Sequence, residues 1–221
     1  MTKKISSLFI LIFFSLSAMP QENDFQIWSS LSLRKKIDKK INIFLKQGLR
    51  FRENATIRYK SFTDFKIRYK YNKRWGNSLG FRFIQDWNKK MVLEELYRYY
   101  GDISFRKEIN RFTLSIRNRL QIQGNQFSSY LSVFRQKFEL SYNIPKNKME
   151  PSSILEYFYN EKENKINKIR YGFALSYPIS KELEIEMLYR IQQDLNYVIL
   201  NGEKNKSETL FIFEGKLSYS L

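Results

Sequence analysis

Basic side chains recur at alternate positions in many segments of this sequence, in a pattern that could bind or pass anions. The segment 65–71 (FKIRYKY) alternates three cations with four apolar or aromatic residues. Successive side chains of a β-strand point to opposite faces, so these cations are predicted to share one face. Eight arginines predicted to lie on such polar faces are Arg68, Arg82, Arg98, Arg117, Arg119, Arg135, Arg170 and Arg190.

Acidic residues on the same predicted faces are fewer, and three of them are Asp102, Glu156 and Glu186. If these faces enclose an interior, two interpretations follow. The charges could pair in an arginine-carboxylate network that fills the interior. Alternatively, the surplus cations could line a water-filled passage that selects small anions. Arg98 and Asp102 share a face four residues apart and are the first pair to test.

Several catalytic chemistries are excluded by composition. The chain has no histidine and no cysteine, which removes Ser-His-Asp and Cys-His catalysis, disulfides and the common zinc sites. Carboxylate pairs such as Glu94 with Glu95 could do acid–base work, but solvated or salt-bridged carboxylates are far more common. We therefore predict no enzyme, no cofactor and no metal site.

The elements that position these charges are strands. Aromatic residues make up 17% of the chain, which has only 8 glycines and 4 prolines, and this composition favours an all-β fold. The final segment, 210–221 (LFIFEGKLSYSL), alternates with period two to its last residue. Its apolar face carries Phe211, Phe213, Tyr219 and Leu221. A terminal strand of this kind predicts an outer-membrane β-barrel whose last strand is the signal for the barrel-assembly machinery.

Residues 1–20 are predicted to be a signal peptide. Lys3 and Lys4 precede the apolar run 5–14, and small residues follow at 15–18, so cleavage is expected between residues 17 and 21. The apolar run is shorter than the ~20 residues of a spanning helix. Residues 21–221 would then form one barrel domain, exported to the outer membrane of a Gram-negative bacterium.

Eleven alternating segments are found, whereas bacterial single-chain barrels have an even number of antiparallel strands. We therefore predict an up-and-down transmembrane barrel of about 12 strands, with 10 as the alternative. Trp75 and Trp87 flank one segment at a spacing that suits membrane-interface positions. Connections are predicted to alternate between short ones and longer ones, such as 53–60 and 160–168.

The formal charge of +17 indicates an anionic partner, either lipid or a small solute. Nucleic acid is disfavoured, because the cations are spread over nearly every segment and no nucleic-acid-binding signature is present. Outer-membrane lipid is expected to contact the apolar faces.

The segments FQIW (25–28), FRFIQDW (81–87) and LYRYYGDISFRKEINRFTLSIRNRLQ (96–121) resemble those of the domain of unknown function 2490 family. The resemblance implies an outer-membrane barrel of a type found largely in Bacteroidota, and it supplies no catalytic residues. Leu221 departs from the aromatic residue that ends many barrel signals.

The leading hypothesis is a non-enzymatic outer-membrane barrel, either structural or forming a narrow channel that prefers anions. A secreted soluble β-protein that binds an anionic ligand or lipid is the second hypothesis. The third is a histidine-free hydrolase of envelope lipids.

Overall fold

A computed structural model describes residues 24–125, 128–195, 199–200, 203–204 and 209–221. Within these residues the chain forms strands and turns, and eleven of the strands close into one barrel. No helix in the described part of the chain is long and apolar enough to cross a membrane. The predicted signal peptide, 1–20, and its cleavage site lie outside the described residues.

The barrel wall is built from ten consecutive strands and the C-terminal strand. In chain order the wall strands are β1 (Asp24–Lys36), β2 (Ile41–Arg52), β3 (Ile57–Lys70), β4 (Trp75–Trp87), β5 (Leu93–Ile109), β6 (Phe112–Asn125), β7 (Ser128–Tyr142), β8 (Glu150–Asn160), β9 (Lys165–Pro178), β10 (Leu183–Asp194) and β13 (Thr209–Ser220). Two short strands, β11 (Ile199–Leu200) and β12 (Glu203–Lys204), form a separate hairpin between β10 and β13.

The barrel closes through one parallel pair of strands. Each wall strand pairs antiparallel with its neighbours in chain order, whereas β1 and β13 pair in parallel from Asp24 opposite Leu210 to Arg34 opposite Ser220. An odd number of strands in an up-and-down order requires one such pair, because the first and last strands then run in the same direction. The all-β barrel is confirmed, and its eleven described wall strands fall between the predicted 12 and the alternative 10.

At one end of the barrel, side-chain acceptors close the turns. Asp38 Oδ1 accepts from the backbone N–H groups of Lys40 and Ile41, and Asn72 Oδ1 accepts from those of Arg74 and Trp75. Asp and Asn favour turns because their short side chains bond the backbone in this way. The hydrogen bond from Ile41, followed by that from Lys40, lowers the pKa of Asp38 below the usual value of an aspartate.

The prediction of long connections at the other end is wrong for two of them. Four residues, 53–56, join β2 to β3, and four residues, 161–164, join β8 to β9. The strands extend into the segments that were predicted to be loops, because polar inward-facing residues near the strand ends resemble loop sequence. The connection from β10 to β13, residues 195–208, is longer.

Apolar side chains cover the outer face of the barrel. Large exposed side chains on this face include Leu45, Phe65, Leu79, Ile103, Leu120, Leu140, Phe173 and Met187. The opposite face of each strand points inward and carries most of the charged residues. In soluble proteins the apolar side chains are mostly buried. Here the arrangement is reversed, with a polar interior inside an apolar surface.

Candidate functional site

Two cavities occupy the barrel interior. The larger chamber has a volume of about 470 Å³ and the smaller chamber about 200 Å³. Fourteen lysines and arginines line the larger chamber, together with three acidic residues, Asp64, Glu156 and Glu214. Lys66, Arg117 and Lys137 line both chambers and lie where the two meet. The interior therefore carries a large surplus of positive charge.

The structure places all eight predicted arginines on inward faces. Seven of them line the larger chamber, and Arg68 lines the smaller one. Of the predicted acidic partners, Glu156 lines the larger chamber and Asp102 the smaller. Glu186 faces inward on β10, where Lys216 lies 3.1 Å from its carboxylate. The eight arginines come from seven strands, β3 to β7 with β9 and β10, and Glu156 comes from β8.

Arg98 and Asp102, named above as the first pair to test, each have a different partner. Asp102 lies opposite Arg119 in the β5–β6 register and accepts from its Nε at 2.6 Å and its Nη2 at 2.8 Å. Arg98 lies opposite Gln123 and donates from Nε to its side-chain oxygen at 2.8 Å. Residues four apart in a strand are about 13 Å apart, whereas residues opposite each other on adjacent strands are about 5 Å apart. Pairing therefore follows the register.

Glu156 is shared by three arginines. Its Oε1 accepts from Arg117 and from Arg135, both at 2.8 Å, and Arg170 lies 3.7 Å from Oε2. The Glu156 side chain is almost fully buried, so its charge is held by these partners instead of by bulk water. One carboxylate thus offsets only part of the local positive charge.

Asp64 is a second interior carboxylate, which the sequence analysis missed. Arg82 Nε donates to its Oδ2 at 2.6 Å, and the Tyr100 hydroxyl donates to its Oδ1 at 2.8 Å. Tyr100 reaches Asp64 across β4 because Gly80 has no side chain, and a Cβ there would overlap the Tyr100 ring. The strand that carries the 65–71 alternation begins at residue 57. Following the alternation back by two residues from Lys66 would have placed Asp64 on the same inward face.

Inward-facing aromatic rings support the arginines, and the sequence analysis also missed them. The Arg50 guanidinium lies 3.7 Å from the centroid of the buried Trp28 ring, and those of Arg170 and Arg190 lie 5.2 and 5.7 Å from it. The centroid of the Phe158 ring lies 4.5 Å from the Arg135 guanidinium and 4.6 Å from the Arg170 guanidinium. Ring faces attract guanidinium groups and hold them in place without neutralising them.

Four cations of the larger chamber have no carboxylate within 4.0 Å among the described residues. They are Lys46, Arg50, Lys66 and Arg98. The other cations of the chamber have carboxylate partners. Arg190, for example, pairs with Glu214, and Lys60 pairs with Asp86. Buried cations without a partner are costly unless water or an anion accompanies them. The larger chamber therefore holds more positive charge than its described carboxylates pair with.

The predicted interface and assembly residues lie on the outer face. Trp75 and Trp87 occupy the two ends of β4, and Trp75 is 47% exposed. Phe213, Tyr219 and Leu221 are exposed, and Phe211 lies on the same face of β13. The Leu221 N–H donates to the Arg34 carbonyl at 2.8 Å and extends the β1–β13 seam to the last residue.

The described residues contain no group of three or more His, Cys, Asp or Glu side chains that could hold a metal ion. The inward carboxylates instead pair with arginine or lysine. What the interior offers chemically is a set of fixed hydrogen-bond donors and positive charges.

Comparison with known families gives one match, to the family described as "Protein of unknown function (DUF2490)", over residues 25–197. The chain belongs to the DUF2490 family. The resemblance inferred from the segments at 25–28, 81–87 and 96–121 is thereby confirmed for the family. No curated protein matches this DUF2490 chain.

Among solved structures, the DUF2490 chain is similar to the NanC porin, with a TM-score of 0.52 and 13% sequence identity. The similarity covers 90% of the DUF2490 chain and 99% of the porin chain. At this identity the likeness concerns the fold alone. This DUF2490 chain therefore has the closed β-barrel fold of a porin.

Proposed function

We propose that this protein is a non-enzymatic outer-membrane β-barrel that forms a narrow channel preferring small anions. The single observation that carries the proposal is the charge of the larger chamber, where fourteen lysines and arginines accompany three acidic residues. Cationic pore linings favour anions because they offset the cost of removing water from them. The chamber volume of about 470 Å³ suits small solutes and excludes large ones.

Placement in the outer membrane is supported by the apolar outer face. Side chains such as Leu79 at 72% and Phe173 at 70% exposure would face water in a soluble protein, whereas lipid would cover them in a membrane. Trp75 and Trp87 then mark the two interfaces, and outer-membrane lipid is the partner of this surface. The barrel-assembly machinery is the proposed partner of β13, through Phe211, Phe213, Tyr219 and Leu221. Residues 1–20 serve as the export signal.

A planar-bilayer recording of the purified full-length protein tests the channel. With a KCl gradient across the bilayer, the reversal potential is expected to shift from zero toward the equilibrium potential of chloride. Absence of single-channel steps, or a shift toward the equilibrium potential of potassium, would reject the anion-preferring channel. Absence of steps would favour a structural barrel held by its arginine-carboxylate network, of which Arg119 with Asp102 is one part.

Location is tested separately by fractionation. Outer-membrane protein should resist carbonate extraction and should migrate differently on gels before and after heating. Extraction as a soluble protein with unchanged mobility would instead support the secreted anion-binding β-protein. Lipid hydrolysis by the histidine-free chain would require a carboxylate nucleophile or base, and incubation with phospholipid vesicles should release no fatty acid.

A further inference from the structure

The larger chamber contains two arginines, Arg50 and Arg98, that form no ion pair with any carboxylate of the described residues. Among the described residues, the side-chain hydrogen-bond partner of Arg98 is Gln123, a neutral amide, and Arg98 interacts electrostatically with Arg82, Arg135 and Arg50. Asp102, four residues further along β5 on the same face, is engaged by Arg119 through two hydrogen bonds. Arg98 therefore lies among cations with its charge uncompensated.

Arg50 likewise has no carboxylate within 4.0 Å among the described residues, and two aromatic rings lie beside it. Its guanidinium lies 3.7 Å from the centroid of the Trp28 ring and 5.5 Å from that of the Phe62 ring. Its Nε atom is buried and has no hydrogen-bond partner among the described residues. A buried donor without an acceptor is costly unless water or an anion supplies one, and the same holds for the Nε atoms of Arg117 and Arg135 in this chamber.

Lys60 joins the two arginines. It faces inward opposite Arg50 in the β2–β3 register and interacts electrostatically with both Arg50 and Arg98. Its own ammonium group is already paired with Asp86 at 2.6 Å. Arg50 and Lys60 thus lie opposite each other, and Arg98 lines the same chamber, so like charges share this space at a cost in energy unless an anion accompanies them.

We propose that Arg50 and Arg98 form a specific, saturable binding site for a small oxyanion with two negative charges. Phosphate and dicarboxylate share the required chemistry, because their oxygens match the paired donors of a guanidinium group and two charges would neutralise both arginines. The inference deepens the proposed function, since the ligand would enter the chamber that we propose conducts anions.

Isothermal titration calorimetry on the full-length barrel in detergent micelles tests the site. The probes are sodium phosphate and sodium succinate, each titrated at constant ionic strength, with sodium chloride as the reference anion. Saturable binding of phosphate alone would assign the site to phosphates, of succinate alone to carboxylates, and of both to oxyanions generally. No saturable binding of either, or binding no tighter than that of chloride, would overturn the proposal.

Variants locate the binding. Arg98→Gln and Arg50→Gln should each weaken the affinity about tenfold or more, since each removes a charged hydrogen bond. Arg74→Gln, which removes one positive charge from an exposed turn, is the matched control and should leave the affinity unchanged. Wild-type affinity in both chamber variants would overturn the assignment.

Two precautions keep the test decisive. Each variant is first checked for heat-modifiable gel mobility, and Arg98→Lys, which keeps the charge but loses the forked donors, replaces Arg98→Gln if that variant does not fold. Its affinity should lie between those of the wild type and Arg50→Gln. Because titration in micelles needs no current, binding without conductance would reject only the channel. Conductance without saturable binding would reject only the oxyanion site.

Discussion

Arg119 and Asp102 form an ion pair with two hydrogen bonds across β5 and β6, at 2.6 and 2.8 Å, in which both side chains are almost completely buried. The Arg119 guanidinium also lies 3.7 Å from the centroid of the Tyr100 ring. Each group is thus fixed by the other and by its surroundings. The pair is the best-formed element of the interior network.

Removing one partner of this pair should destabilise the barrel. Asp102→Asn leaves the Arg119 charge buried without its counter-ion, and the free energy of unfolding should fall by about 3 kcal/mol or more. Urea unfolding in detergent, followed by tryptophan fluorescence, measures the change. The exposed pair of Arg106 and Glu108, 3.4 Å apart, provides the control, and Glu108→Gln should cost less than about 1 kcal/mol. Equal costs for the two substitutions would contradict the importance given to burial.

Gly80 should tolerate no larger side chain. A Cβ at this position would overlap the Tyr100 ring, which must then leave its hydrogen bond to Asp64. Gly80→Ala should lower the free energy of unfolding by about 1–3 kcal/mol. Gly215→Ala is the matched control, because no atom lies within 4 Å of the added Cβ there. The same unfolding assay applies, and equal stabilities of the two variants would refute the crowding at β4.

Strand alternation was sufficient to predict which side of the wall each charge occupies, because a strand's period of two depends on the local chain alone. It was insufficient to predict partners. Asp102 pairs with Arg119 and Arg98 with Gln123 because of the β5–β6 register, and that register depends on where each strand ends. Trp28 was missed for a different reason. No face was assigned to it from the sequence, and its position in β1 places it inward against Arg50.

A charge introduced on the outer face distinguishes a lipid environment from water. Leu120 is 58% exposed near the middle of β6, and the substitution Leu120→Lys places a positive charge at that point of the outer face. In a membrane this change should cost about 2–4 kcal/mol, whereas Ile109→Lys at the end of β5 should cost about 0–1 kcal/mol. Unfolding from phospholipid vesicles measures both. Equal, negligible costs would support a soluble barrel.

Glu156 should limit the anion preference of the channel. Because it offsets part of the charge of Arg117, Arg135 and Arg170, Glu156→Gln should move the reversal potential in a KCl gradient further toward that of chloride. Glu108→Gln removes the same charge from the exposed end of β5 and should leave the potential unchanged. A shift toward the potassium potential in Glu156→Gln would contradict the proposed lining.

The outward aromatic residue of β13 should matter for assembly. Tyr219 is exposed near the end of β13, and we expect Tyr219→Ser to lower the amount of protein in the outer membrane. Ser218→Ala, on the inward face of the same strand, should leave that amount unchanged. Fractionation with heat-modifiable mobility measures both. Normal levels of Tyr219→Ser would remove Tyr219 from the assembly signal.

The parallel pairing of β1 with β13 joins residues from opposite ends of the chain, since Asp24 lies opposite Leu210. Every other wall contact is made by strands that follow each other along the chain. The entropy of loop closure makes the most distant contact the slowest to form, so the wall can assemble hairpin by hairpin while both edge strands stay open. During that interval β1 and β13 are open edges that could pair with a second molecule, and closure of the barrel removes both edges at once.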